Sequence, residues 1–475
     1  MRNLCNKRSK SFKVQRPHGK KTVKQRKSSC KHRLNRFEKY KLVNQLSVVI
    51  NRRFPDLFHE FSQMPDYRQR PVYEVKELIV SGLLMFLFKQ KSRNQADNSA
   101  KNLDYQDNIE RILGVKVADM DTVDKYLRFL PANRLEDIKY NMFRAIVKSK
   151  VFQKYKFNNE CFMLAIDGSG LQSFDYEPYP GCPYKEYKSG RKVWTTYVLE
   201  AKIVTETGFS ISLATQWIEN PIDKAFDKQD SENKAFKRLS QRVKKNFPRL
   251  PLMLLLDGLY PTNPVFTICK QNKWGCIITL KDNSLKSLQE QISDQRRFKQ
   301  YSEIPRIERS TTHWLKYNYK IFKDLDYKGH QLYVVETEFE KQHQKTGEKE
   351  NTRFVHISNI NIDEKNAHQV SQAGRLRWKI ENEGFNNQKN NDYDLQHKFS
   401  RTNFNATKNY YQLMQIADII NQFTYKQKAI QHYLKNHGFT IRSMIADILS
   451  YLKSMVFSDK LLIEEILTEK VQTRY

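Results

Sequence analysis

Two short segments share a pattern that could do chemistry. Asp167 follows the apolar run 162–166 and precedes Gly168, and Asp257 follows the apolar run 252–256 and precedes Gly258. Short apolar runs bounded by turn residues read as buried strands, so each aspartate is expected at a strand end, where a carboxylate projects from the sheet edge into a cleft. Glu381 lies on a later helical stretch. Three carboxylates on separate rigid elements can together hold two Mg²⁺ ions, which demand hard oxygen ligands. A metal pair of that kind stabilises the attacking and leaving oxygens of an in-line phosphoryl displacement. A lone Asp-Gly is usually a turn and a lone helical Glu usually a solvated or paired surface group. The combination gains weight because the two aspartates share one local context and Glu381 stands in an unusual segment.

In that segment Arg377, Trp378, Ile380 and Glu381 spell Arg-Trp-x-Ile-Glu, followed by Asn382 and Glu383. At 3.6 residues per turn Arg377 shares the face of Glu381, whereas Glu383 lies about 200° round the helix. This favours Glu381 over Glu383 as the ligand and Arg377 as a phosphate-contacting or orienting partner. On these residues the chain resembles the DDE transposases of bacterial insertion sequences, in the group whose ribonuclease-H-like core carries a β-rich insertion before the catalytic Glu. That group has a Tyr–two–Arg–three–Glu–six–Lys pattern, of which Arg377 and Glu381 match the centre. Gly374 stands where the Tyr is expected and Gln388 where the Lys is expected, with Lys389 next and about 80° off the face of Glu381. Asp167-Gly168-Ser169 is close to the first acidic motif, and Asp257-Gly258-Leu259-Tyr260 departs from the second, Asp-x-Gly-Tyr or Phe, in the order of its middle residues.

The resemblance, over roughly 162–423, implies a catalytic triad of Asp167, Asp257 and Glu381 binding two Mg²⁺ ions that Mn²⁺ can replace. It also implies DNA contacts by Arg377 and Lys389, cleavage at element ends, strand transfer into target DNA, and a homodimer on paired ends. The partners would be double-stranded terminal repeats and target, with no membrane, in a cytoplasmic, nucleoid-associated protein. The alternatives are a catalytically inactive DNA-binding derivative and a metal-dependent nuclease.

The elements that must position these residues follow from pattern. The chain has 475 residues, long enough for about three domains. Residues 1–36 contain no acid and many Lys and Arg, which reads as a flexible basic arm that orders on phosphates. Helical periodicity dominates 37–155, with Asp121 as an expected N-cap and Leu135, Ile138, Met142 and Ile146 on one stripe, which reads as an all-helical DNA-binding domain joined to the arm. The expected fold class is α/β, with a ribonuclease-H-like mixed sheet over 156–402. Strands are expected at 162–166, 193–204, 209–218, 252–256 and 275–280, with a helix through Ala235, Leu239 and Val243. A β-rich insertion is expected at about 284–362, then one long helix from the N-cap Asp363 to about Asn387. Residues 403–475 form a helical end, with Leu413, Ile416 and Ile420 on one stripe. It is a candidate for pairing two subunits.

Charge and cysteines narrow the classes further. Lys and Arg total 83 against 52 Asp and Glu, a net charge of +31, so a polyanion such as nucleic acid is the leading partner. The apolar run 78–88 is short of the roughly 20 residues of a transmembrane helix. The charged N-terminus lacks the apolar region of a secretory signal. Six scattered cysteines make no disulfide framework, which suits a reducing compartment. Cys5, His18, Cys30 and His32 lack the close pairs of a zinc site. Asp223, Asp227 and Glu232 read as caps and solvated surface, and Trp194, Trp217, Trp274 and Trp314 as core.

Overall fold

The structure is a computed structural model that describes residues 34–222, 228–401, 403–457 and 464. Most of the basic arm, the cysteine and histidine candidates within it, and Asp223 and Asp227 therefore lie outside the described residues.

Seven helices come first: α1 (Arg36–Arg53), α2 (Leu57–Ser62), α3 (Val75–Leu87), α4 (Arg93–Ala100), α5 (Leu103–Leu113), α6 (Met120–Phe129) and α7 (Ala132–Lys148). Asn35 and Glu38 form a reciprocal capping box at the start of α1. The cap of α6 is Asp119, which accepts from the Thr122 amide, and not Asp121. Met120 is buried and must already be helical, which moves the start back and leaves Asp121 as a first-turn acid.

The sheet strands are β1 (Phe162–Phe174), β2 (Tyr184–Glu186), β3 (Lys192–Val204) and β4 (Ser210–Ile218). After α8 (Glu232–Asn246) come β5 (Leu252–Leu256), α9 (Asn263–Asn272) and β6 (Gly275–Thr279). These are followed by α10 (Lys286–Arg297), β7 (Ser302–Arg309), β8 (His313–Tyr327), β9 (His330–His343) and β10 (Lys349–Ser358). All ten strands form one mixed sheet in the order β2-β3-β1-β5-β6-β10-β9-β8-β7, with β4 also on β3. The pairs β1–β5 and β5–β6 are parallel and the rest antiparallel. The segment expected as an insertion thus joins the core sheet: His356, Ile357 and Ser358 of β10 pair with Thr279, Ile278 and Ile277 of β6. Its strands continue one hydrogen-bonded surface, because β6 would otherwise expose an unpaired edge.

Two further expectations change. Asp167 to Gly170 do not form a turn; β1 continues through them because β3 pairs along its whole length, Asp167 opposite Glu200. The single long helix is broken into α11 (Ala367–Leu376), a π-helical segment (Ile380–Asn386) and α12 (Asn387–Asn390). Asp363 accepts from the Lys365 and Asn366 amides ahead of α11, and Asn366 is the capping residue. Trp217 and Trp274 are buried, but Trp314 is exposed.

The chain closes with α13 (Phe404–Tyr425), α14 (Lys428–His437) and α15 (Ile441–Ser454). Helix α13 carries more than one apolar stripe; it is buried almost all round, with α1, α3, α6, α7 and β4 packed on it. It is therefore an internal strut and offers no surface for pairing subunits. Some of its polar groups find partners inside the protein: Asn409 donates to the Leu127 and Leu130 carbonyls, and the Tyr411 hydroxyl to Glu200 at 3.0 Å. Glu200 and Lys139 are both fully buried, 3.7 Å apart. Lys139 donates to Ser212 and Thr215, and both hydroxyls donate to Glu200.

Removing one partner of a buried pair strands the other charge. Lys139→Met is expected to cost about 3–5 kcal/mol in urea unfolding, and Glu200→Gln in the same chain to recover part of the loss. A loss below about 1 kcal/mol would show that the pair is not a structural tie.

Candidate active site

The two aspartates meet through strand register. Phe162 to Ala165 of β1 pair in parallel with Leu252 to Leu255 of β5, a constant offset of 90 residues. The same offset relates Asp167 to Asp257. Over this paired stretch both strands are apolar and buried on both faces, as parallel central strands are. The β1–β5 ladder stops just short of the aspartates, at Ala165 and Leu255. The Leu259 amide donates to Asp257 Oδ1 at 2.9 Å, and the Gly168 amide to Asp167 Oδ1 at 3.1 Å.

Arg377 links Asp167 to the third carboxylate. Its guanidinium is largely buried, 3.6 Å from Asp167 Oδ2 and 3.9 Å from Glu381 Oε2, and it lies over the exposed Trp378 ring. Glu381 is half-exposed in the first turn of the π segment. Glu383 turns away to Lys379 at 3.1 Å. The wider π turn leaves the Arg377–Glu381 contact intact, because it begins only at Ile380.

Among the described residues, no three His, Cys, Asp or Glu side chains close into one metal-ligand cluster. The donor chemistry nevertheless fits a hard divalent cation. Burial above all, and then the negative charges of Glu232 and Asp257, push Asp167 up to about 6 although Arg377 pulls it down. A bound cation would relieve that excess of negative charge.

Glu232 was the residue hidden in the sequence. As the first residue of α8 it looks like any acid at a helix N-terminus. In the fold its carboxyl lies over Gly168, where an added Cβ would meet Oε1 at 2.5 Å, and it accepts from the buried Tyr260 hydroxyl at 3.2 Å. Burial raises its pKa, the Tyr260 bond opposes, and the charge of Asp257 adds to the rise. Tyr260 belongs to the second acidic motif, which was the one available signal. Lys281 is similarly placed, its aliphatic stem packed over Gly258.

Packing explains both departures from the helix pattern. A Cβ at Gly374 would meet the ring of buried His356 at 2.5 Å, so no tyrosine fits. Gln388 is buried; it exchanges amide hydrogen bonds with Gln415 and donates to Asp418 at 2.9 Å. The fully buried Lys202 enters the same network, donating to Gln415 at 3.1 Å. Lys389 is half-exposed on α12, and no hydrogen bond or ion pair joins it to Asp167, Asp257 or Glu381.

Gly374→Ala is expected to cost about 1–3 kcal/mol by overpacking. Combined with His356→Ala, the total loss should be less than the two single losses added, as a double-mutant cycle in urea would show; strict additivity would refute the contact. A second expectation concerns pH in the metal-free chain. Folding raises Asp167 from 3.8 to about 6, so its ionisation penalty is absent below pH 3.8, grows through the interval and is complete above 6. Asp167→Asn in EDTA should therefore raise the unfolding midpoint more at pH 7.5 than at pH 4.5; an equal or reversed difference would sink this account.

The transposase DDE domain family model matches residues 164–414. Comparison with curated proteins finds no match. The family match begins in the strand that carries Asp167, takes in Asp257, Arg377 and Glu381, and ends within α13, over half of the chain; the chain belongs to the DDE-domain transposases of the insertion-sequence type.

Proposed function

We propose that this transposase cuts a phosphodiester at the end of its element and joins the freed 3′-hydroxyl to target DNA, with Asp167, Asp257 and Glu381 holding two Mg²⁺ ions that Mn²⁺ can replace. The observation that carries the proposal is the parallel register of β1 and β5, which ends two residues before Asp167 and Asp257, with Arg377 tying Glu381 to Asp167. The bound ions would supply positive charge at the attacking and leaving oxygens of an in-line displacement. Arg377 keeps the two acidic elements together and offers N–H donors to a phosphate. In the first step water adds to the scissile phosphorus and the 3′-oxygen leaves. In the second, that oxygen forms a new bond to a target phosphorus as the target's own 3′-oxygen departs. No protein nucleophile is needed, which suits a site built of carboxylates.

Lys389, half-exposed beside the π segment, would touch the DNA backbone, and the basic arm would add sequence-independent grip. The two ends would be held by a homodimer, and the +31 net charge favours capture of both duplexes. Among the described residues no helix is long and apolar enough to cross a membrane.

The test is cleavage of DNA bearing the ends that flank the coding sequence, with Mg²⁺ or EDTA. Cuts at the element boundary and joined products are expected from the wild type. Asp167→Ala, Asp257→Ala and Glu381→Ala should each lower cleavage by about 10³-fold or more while end binding persists. Breaks without joined products would identify a nuclease, and end binding with no cleavage by any chain a DNA-binding derivative. Unchanged cutting by the three variants would remove the site altogether.

A further inference from the structure

We infer that a cavity behind the helix of Glu381 is a second phosphate site, one that takes a phosphate monoester together with its sugar. The cavity has a volume of about 500 Å³, within the range of small-molecule pockets. Lys89 reaches it from the end of α3, Gly208 from the turn between β3 and β4, and Lys426 and Arg442 from the helical end of the chain. Glu383, Asn387 and Asn391, at four-residue steps, supply a further wall. Asp167, Asp257, Arg377 and Glu381 do not line it, so this assignment does not rest on the proposed triad.

Charge decides what the cavity would hold. Three acids line it, and each already has a cation. Asp392 is paired with Arg442, and with Lys91 at 3.0 Å. Asp418 lies 3.9 Å from the buried Lys202, and Glu383 3.1 Å from Lys379. Two lysines are left over. Lys89 Nζ donates to the Asn391 carbonyl at 2.9 Å and lies 4.5 Å from the centre of the Tyr393 ring. Lys426 Nζ donates to the Thr207 carbonyl at 2.6 Å. Among the described residues neither makes an ion pair, so the cavity carries two ammonium groups beyond those its own acids neutralise. A phosphate monoester bears about 1.5 to 2 negative charges at neutral pH, which matches that surplus better than the single charge of a diester.

Lys89 also holds its place at a cost. Its φ is +51°, the left-handed conformation in which a helix end usually carries Gly, and the Gln90 amide closes the last turn on the Met85 carbonyl at 2.8 Å. Burial lowers Lys89 to about 8 against the pull of Asp418 and Asp392, and it lowers Lys426 although Glu383 opposes. A bound phosphate would favour the charged form of both. Gln431 and Thr440 add neutral polar groups to the wall, and Tyr425 and Ile441 give the sugar an apolar side. A free nucleotide and the 5′-phosphate of a DNA strand present this same chemistry.

The experiment is calorimetric titration of the full chain, without DNA and at fixed ionic strength, with adenosine 5′-monophosphate, adenosine and inorganic phosphate. The monophosphate should bind at one site per chain and more tightly than inorganic phosphate, and adenosine should not bind. Lys89→Met and Lys426→Met, which keep an unbranched stem and remove the charge, should each weaken the monophosphate roughly tenfold, whereas Asp167→Asn should bind it as the wild type does. No binding by the wild type, or wild-type affinity in either lysine variant, overturns the site. Loss of binding in Asp167→Asn overturns it too, by placing the phosphate at the triad. Displacement of the monophosphate by a 5′-phosphorylated oligonucleotide, and not by its 5′-hydroxyl form, supports the site with a strand end as its ligand. Resistance to both supports it with a free nucleotide, and displacement by both overturns the monoester assignment. Should a variant fail to fold, acetylation of the wild type decides. The monophosphate should protect Lys89 and Lys426 but not Lys389, as mass spectrometry would show, and equal labelling with and without it overturns the proposal.

Discussion

The parallel ladder between β1 and β5 is the constraint on which the site depends. Side chains on two central strands alternate into apolar layers above and below, so a slip of one residue would turn every core residue of one strand toward the wrong layer. The register that this fixes between Phe162–Ala165 and Leu252–Leu255 is what brings Asp167 level with Asp257, 90 residues away. The two strands then behave differently. After Leu256 the chain turns at once, with the Leu259 amide on the Asp257 carboxyl. Strand β1 runs on to Phe174 against β3. Asp167 is thus held within a strand, a stiffer mount than the turn its Gly-rich surroundings suggest.

The third carboxylate arrives by a less regular route. The π segment packs on β1, β3 and β4, with Phe385 buried and Gly384 close to Lys202 and Ser210. Beneath it lies a polar core unusual for its size, in which Gln388, Gln415, Asp418, Gln422 and Lys202 satisfy one another. A buried network of this kind stabilises only when complete, and its directionality specifies one arrangement where an apolar contact would allow several. That is a physical reason for a buried glutamine at position 388: its amide both donates and accepts between α12 and α13, which a lysine cannot do.

The electrostatics of the molecule work at two ranges. A net charge of +31 attracts a polyanion from a distance. Close in, the sign reverses: Glu232 and Asp257 act on Asp167, and one arginine, Arg377, stands between Asp167 and Glu381. A phosphate drawn in by the long-range field would meet local repulsion at these carboxylates, which a cation bound there would offset. Burial sharpens this contrast, since the protein interior screens charges less than water does.

Much of this was legible in the sequence because it depends on local pattern. Apolar runs and turn residues located β3, β4, β5 and β6 to within a residue of their ends and the start of β1, though not its continuation to Phe174; helical spacing located α8 and α13, and motif residues singled out Asp167, Asp257, Arg377 and Glu381. What only the tertiary structure decided are relations between distant segments. Whether 284–362 stands apart or extends the sheet depends on which edge is free to accept β10. Whether α13 is a surface helix or a central strut depends on what surrounds it, since Asn409, Gln415 and Asp418 look solvated until their buried partners are known. Glu232 is the clearest case: its neighbours in sequence give it the character of a surface acid, and Gly168 and Tyr260, 64 residues before and 28 after, hold its carboxyl against the strand that carries Asp167. Periodicity is written along the chain and can be read there, whereas the partner of a buried polar group is chosen by the fold.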